Sequence, residues 1–242
     1  MITNAETGTR IDEVEAGIYR ITTPAQAGPA GFSFNRYLLV DDAPCLFHTG
    51  PRGMFQLTAE AISKVIPVSG LRYLGFSHYE NDECGALNAL LAQAPNARPL
   101  CGRINTMIND DAFDRPPHTL GDREALSIGK RTLVWLDAPH LPHAWECGFL
   151  FERETSTLLC GDLFTQPGAE HPPVTSHDVL EPSESMRRSL DYFAHAPSSG
   201  ALLDKLASHR PQLLACMHGS AYRGDGAALL LELKARLARG TS

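Results

Sequence analysis

The sequence predicts one mixed fold of strands and helices, either a two-sheet sandwich clad by helices or a doubly wound sheet. Three observations carry this. Short apolar or alternating runs give way to longer amphipathic ones, and that succession occurs in both halves of the chain. No internal repeat, low-complexity tract or linker divides the 242 residues. Hydrophobic residues make up 43% of the chain, and a chain of this size buries roughly 70% of its unfolded surface, so its core needs no disulfide staples.

In chain order, residues 14–22, 32–40 and 45–48 read as strands, the last running into Thr49-Gly50-Pro51. Residues 55–65 carry apolar positions at helical spacing, closed by Pro67 and Gly70. Residues 71–76 form a strand that leads straight into Ser77-His78. A helix over 85–93, a strand over 98–101 and another over 131–137 follow. Residues 148–152 and 157–160 make a hairpin around the polar Glu154-Thr155-Ser156 turn. Helices over 183–195 and 200–208, a strand over 212–216 and a helix over 227–238 complete the order. Periodicity does not choose between the two architectures. The residues at the strand ends do.

Composition excludes several functions first. The net charge is −7 with histidine neutral, and no Lys/Arg run exceeds two residues, so neither nucleic acid nor an anionic membrane is the expected partner. No apolar stretch approaches the roughly 18 residues of a membrane span, and the polar, acidic start (MITNAETGTRIDEVEAG) lacks the apolar core of a signal peptide. A cytoplasmic protein is expected. Six cysteines (Cys45, Cys84, Cys101, Cys147, Cys160, Cys216) form no C-x-x-C pair, against zinc-finger and thioredoxin chemistry. G-x-S-x-G is absent, so a serine nucleophile has no support.

The strand over 71–76 is followed by His78-Tyr79-Glu80-Asn81-Asp82-Glu83-Cys84-Gly85. If this loop stays extended, side chains 78, 80 and 82 share one face, and acids so close need water, arginine or a metal ion between them. The bland alternative is a solvated acidic loop in which Asp82 caps a helix starting at Gly85. Three more sets of possible ligands follow strands: His140 and His143, Asp162, and His218. Donors gathered from the ends of separate strands are how such a scaffold builds one rigid metal site.

This ordered set, H-x-E-x-D, a histidine some sixty residues on, an aspartate ending a strand and a histidine near the C-terminus, resembles the metallo-β-lactamase fold. With glutamate third in the motif, it is most similar to the di-iron domain of flavodiiron proteins and to single-domain oxygen-binding di-iron proteins. The resemblance spans residues 12–238 and implies an α+β fold, a four-layer αββα sandwich, as a single domain over 1–242. It implies one ion held by His78, Glu80 and His143, and a second by Asp82 and His218, with Asp162 bridging. His143 is preferred to His140 because an acid, Glu146, and then a strand follow it as in the family. Two positions depart from the pattern. Glu83 stands where the family has a histidine, either ligating the second ion through oxygen or turning away. His48-Thr49-Gly50 replaces the usual Asp-Thr-Gly, making His48 a donor behind the ligands or a plain turn histidine.

The ligand set points to its chemistry. Glu80, Asp82, Glu83 and Asp162 bring about four negative charges against about four positive on two divalent ions. That weakens the pair as an electrophile and suits the higher charge of ferric iron. Hard oxygen donors mixed with imidazole favour iron, with manganese and zinc as alternatives. The expected cofactor is two iron ions. The expected function is binding, reduction or sensing of a diatomic ligand, dioxygen or nitric oxide. A metal-dependent hydrolase is the alternative, and a non-catalytic metal-binding protein a third. The chain stops at Ser242, shortly after its last helix, so no flavodoxin-like domain and no flavin are expected within it. Electrons would then come from a separate electron-transfer protein. A homodimer is compatible with the reading.

Glu83 and Tyr222 are the candidate catalytic residues, Tyr222 as a proton donor. Trp145 and Tyr222 would wall the pocket. Cys160 and Cys216 each precede a ligand by two residues, which by alternation places them on the floor of the site, with packing as their expected role. Cys84 is assigned to packing as well. His118, His171, His177, His195 and His209 are read as solvent-facing, with His171 the exception if any.

Overall fold

The computed structural model describes residues 1–26 and 30–240; residues 27–29, and the last two of the expected 1–242 domain, lie outside the described residues. The alternating segment near the N-terminus forms two strands rather than the single one expected over 14–22. Ala16-Gly17 turns the chain between Thr9–Glu15 and Ile18–Ala25, with Gly17 at φ +69°, a conformation glycine adopts without strain. This hairpin sits in an eight-stranded sheet whose spatial order is its chain order: β1 (Ile2–Asn4), β2 (Thr9–Glu15), β3 (Ile18–Ala25), β4 (Phe32–Leu39), β5 (Cys45–Phe47), β6 (Tyr73–Gly75), β7 (Arg98–Gly102) and β8 (His118–Leu120). The pairs are antiparallel as far as β5 and parallel from β5 to β8.

Parallel neighbours need crossovers. Helices α1 (Phe55–Ile62), α2 (Asn81–Cys84), α3 (Leu87–Gln93) and α4 (Arg103–Asn109) lie in those connections. The outer face of the first sheet packs on α1 and α3 through Ile21, Leu38, Leu46, Leu74, Ile62 and Leu90. The second sheet has seven strands: β9 (Ala125–Ser127), β10 (Thr132–Asp137), β11 (Gly148–Glu152), β12 (Thr157–Leu159), β13 (Val174–Thr175), β14 (Leu213–Ala215) and β15 (Ala221–Arg223), in the order β13-β15-β14-β12-β11-β10-β9. Its outer face is covered by α5 (Leu180–Leu190), α6 (Ser199–Ser208) and α7 (Gly226–Gly240). A third apolar cluster, including Tyr37, Phe47, Leu100, Trp135, Leu150 and Leu159, lies between the two sheets. The architecture is therefore the αββα sandwich and not a doubly wound sheet.

Some boundaries move for local reasons. The helix expected over 183–195 is Leu180–Leu190, because Asp191 turns left-handed at φ 50° and its N–H closes the last turn on the Arg187 carbonyl. The helix expected over 85–93 starts two residues later as α3 (Leu87–Gln93), and a separate helical turn, α2 (Asn81–Cys84), precedes it. Among the described residues, no helix is long and apolar enough to cross a membrane.

Candidate metal centre

The motif loop leaves β6 with Phe76 buried, bends at Ser77, His78 and Tyr79, and is extended at Glu80 (φ −138°, ψ 159°), after which α2 begins. His78, Glu80 and Asp82 therefore do not share one strand-like face. The helical turn instead sends Asp82 and Glu83 to a second position, and Glu80, not Asp82, precedes the helix. The loop is held at both ends. Tyr79 donates its N–H to Glu146 Oε1 at 3.1 Å, and Thr49 donates its own to the Glu83 carbonyl at 2.7 Å.

The result is two groups of donors. In the first, His78, Glu80, His143 and Asp162 each aim one atom inward. His78 Nε2 lies 2.9 Å from Glu80 Oε2 and 3.0 Å from His143 Nε2, and Asp162 Oδ2 lies 3.6 Å and 3.5 Å from the two imidazoles. In the second group, His218 Nε2 lies 3.4 Å from Asp82 Oδ2 and 3.2 Å from Asp162 Oδ1, with Glu83 beside them. Asp162 thus turns one oxygen to each group.

The imidazoles explain what belongs between these atoms. His143 Nδ1 faces the Tyr192 carbonyl at 3.0 Å, and His218 Nδ1 faces the Ser33 carbonyl at 2.8 Å. A carbonyl only accepts, so in both rings Nδ1 carries a proton, which leaves Nε2 as the atom that can turn a lone pair to a cation. His78 Nδ1 meets Ser77 Oγ at 3.0 Å, and Ser77 Oγ meets His48 Nε2 at 3.1 Å. His48, pushed down to about 3 by burial, is neutral and reaches His78 only through Ser77. Rings held at Nδ1 with Nε2 turned onto carboxylates match how proteins orient metal-binding histidines.

Without a cation the cluster must borrow protons. Burial opposes it, yet the Asp162 and Asp82 carboxylates hold His218 up at about 9. Hydrogen bonds from His143 and His78 hold the Glu80 carboxyl down at about 2. Glu83 has no such relief. It is fully buried, neither oxygen meets a donor, and burial together with Asp162 and Asp82 pushes its carboxyl well above the usual range. Asp162 Oδ1 also lacks a hydrogen-bond partner. Orphaned carboxylate oxygens beside converging imidazole lone pairs fit a pair of metal ions.

Several supporting residues carried no sequence signal. Asn35 on β4 donates to the carbonyls of Cys216 (2.9 Å) and Gly219 (2.8 Å), and accepts from the buried Arg20 Nε (3.0 Å). Arg20 also donates to the Gly219 carbonyl, so the pair clamps the turn that carries His218. Asn35→Ala takes one donor each from the Cys216 and Gly219 carbonyls, which keep Tyr37 and Arg20, and leaves the buried Arg20 Nε without its acceptor. We expect a loss of about 2–4 kcal/mol in urea unfolding. An unchanged midpoint would show that water replaces the clamp.

The groups open onto a shallow depression of about 180 Å³, lined also by Phe32, Thr165, Leu190 and Tyr192. Its aromatic wall is Phe32, stacked on His218 at 4.1 Å, together with Tyr192, whose hydroxyl donates to the Asp162 carbonyl at 3.3 Å. The expected wall residues lie elsewhere. Trp145 is about half exposed, and Tyr222 packs on the core beneath α5–α7 with its hydroxyl over Gly224. His140 is exposed and belongs to neither group, so the chain brings His143 to the site instead. His171 faces the Gly168 carbonyl, away from the groups. Cys160 and Cys216 do not floor the site: Gly161, at φ +51°, breaks the alternation before Asp162, and both thiols point into the core under the helices.

Comparison with known proteins agrees with this geometry. The chain is 27% identical over 227 residues to a nitric oxide reductase of Moorella thermoacetica, covering 90% of this chain and 56% of that protein. It is 26% identical over 208 residues to the rubredoxin-oxygen oxidoreductase of Megalodesulfovibrio gigas, covering 81% of this chain and 50% of that one. The chain therefore spans about half the length of these curated relatives. The flavodiiron protein of Giardia intestinalis superposes with a TM-score of 0.80 at 21% identity, covering 96% of this chain and 60% of that one. Residues 32–219 match the ODP family beta lactamase. With a sandwich of the same architecture and a two-group metal cluster at its strand ends, the chain belongs to that family.

Proposed function

We propose that the chain is a binuclear iron protein that binds or reduces dioxygen or nitric oxide, with electrons delivered by a separate protein. The observation that carries this is the donor set: four carboxylates with three imidazoles, including the orphaned oxygens of Glu83 and Asp162. His78, Glu80 and His143 would hold one ion, and Asp82, Glu83 and His218 the other, with Asp162 between them. Iron bound there supplies one-electron steps, which zinc does not. The names of the reductase and oxidoreductase relatives support the same choice of ligand.

The protein's own part is to orient and to hold protons. Asp162 keeps the two halves in register, and the carbonyls of Tyr192 and Ser33 fix two imidazoles as lone-pair donors. Phe32, stacked on His218, and Leu190 line the mouth of the depression. Each chain carries all seven donors, so the proposal is the same for a monomer and for a homodimer. Six buried, unpaired thiols fit a cytoplasmic setting.

The test is spectroscopic. Protein loaded anaerobically with two equivalents of ferrous iron should change its visible absorption on adding air or nitric oxide. The zinc-loaded protein should turn over β-lactam, thioester and phosphodiester substrates negligibly. An iron form silent to both gases, with robust zinc-supported hydrolysis, would overturn the proposal in favour of a hydrolase.

A further inference from the structure

Two thiols lie directly behind the turns that carry Asp162 and His218. Strands β12 and β14 are parallel neighbours with Leu159 opposite Ala215, which places Cys160 beside Cys216 one residue on. The Cys160 N–H donates to the Ala215 carbonyl at 3.2 Å, carrying the pairing past the strand ends. Neighbouring strands run about 4.8 Å apart, within the backbone separation of about 4.4–6.8 Å that a disulfide tolerates. The sulfurs are already 3.9 Å apart, with both side chains fully buried. Cys160 and Cys216 also face the Leu163 and Leu214 carbonyls at 3.9 Å and 3.7 Å; Cys84 and Cys147 donate to the carbonyls of Glu80 and Leu141, and Cys101 faces the Thr106 hydroxyl.

We propose that Cys160 and Cys216 are an oxidation site that closes to a disulfide when hydrogen peroxide enters this core. The inference goes beyond the oxygen reading and stands without it. In the first step one thiol gives its electron pair to peroxide, whose O–O bond breaks, leaving a sulfenic acid and one water. The second thiol then attacks that sulfur, forming the S–S bond and releasing the second water. Two S–H bonds are lost, one S–S bond is gained, and one peroxide becomes two waters. Because Asp162 and His218 each follow a cysteine by two residues, the bond ties together the two turns that supply the bridging carboxylate and the His218 imidazole.

The test uses the full chain loaded with zinc, which has no redox chemistry of its own. After one equivalent of peroxide, acid quench and alkylation in denaturant, mass spectrometry should find Cys160 linked to Cys216 and the alkylatable thiols reduced from six to four. Dithiothreitol should restore all six. In Cys216→Ser the Cys160 sulfenic acid should persist and be trapped by dimedone, because no resolving thiol remains. Retention of all six thiols, linkage of any other pair, or sulfinic acid at Cys160 with Cys216 free would overturn the proposal. A second arm exposes ferrous-loaded protein to air with no peroxide added. Linkage in the zinc arm supports the thiol pair whether or not it forms in this one, because binding dioxygen or reducing it to water releases no peroxide.

Discussion

Asp162→Ala is expected to strip both ions from the chain, lowering metal content from two per chain by roughly tenfold or more under conditions that load the parent. The other candidate ligands should not do this, because among the described residues Asp162 alone turns one oxygen towards each group, with Oδ2 at 3.5 Å and 3.6 Å from the first pair of imidazoles and Oδ1 at 3.2 Å from His218. The loss should also appear as stability. Binding to the native state alone adds about 4 kcal/mol at a thousandfold excess over the dissociation constant, so the metal-loaded parent should melt well above the variant. After chelation that gap should narrow sharply. Metal analysis after gel filtration, paired with thermal melts with and without chelator, decides the matter. If Asp162→Ala keeps two ions per chain, the bridge is wrongly assigned and the two groups are independent sites.

How much of this was legible in the sequence depends on where each signal lives. Segments whose apolar face packs on a sheet announced themselves. Residues 55–65 and the hairpin at 148–160 are examples, because burial imposes a period on the side chains. Helix α4 was silent for the opposite reason: Asn105 is its only buried residue, while Ile104, Met107 and Ile108 face outward, so no core-facing stripe exists to read. Strands β8, β9, β13 and β15 are two or three residues long, too short for alternation to rise above chance.

The site divides along the same line. The seven candidate donors could be named only through the family resemblance that the ordered motif carries, since chemistry restricts such positions to a few residue types. Their supports could not. Ser33, Asn35 and Arg20 act through carbonyls and single hydrogen bonds across about 180 residues of chain, and Tyr192 and Ser33 offer His143 and His218 only a backbone oxygen. A backbone acceptor leaves no trace in residue type. Tyr222 fails as a wall residue because the turn after His218 carries β15 over the helix-side core, whereas Phe32 reaches His218 from the first sheet.

Glu83→Gln is expected to act with opposite signs on the metal-free and metal-loaded protein. In the metal-free fold this carboxyl is fully buried with no donor on either oxygen, and both its burial and its acidic neighbours disfavour the charge. Replacing it with a neutral amide should therefore stabilise the chelated protein by about 1–3 kcal/mol. The sign of the pH dependence follows from the same shift. A carboxyl whose folded value lies above its unfolded one favours folding most below the unfolded value, and that advantage fades as pH rises towards the folded value. The gain in Glu83→Gln over the parent should accordingly be larger at pH 8 than at pH 5. With metal present the order reverses for the second ion, since an anionic oxygen ligand is lost: one ion should stay and the other weaken selectively. Glu83→His should keep two ions while shifting preference towards zinc, because imidazole is the softer donor. Urea unfolding of the chelated proteins at the two pH values, with calorimetric titration of metal, checks all four. A chelated Glu83→Gln protein less stable than its parent, still binding two ions with equal affinity, would mean that Glu83 serves the helix start and not the metal.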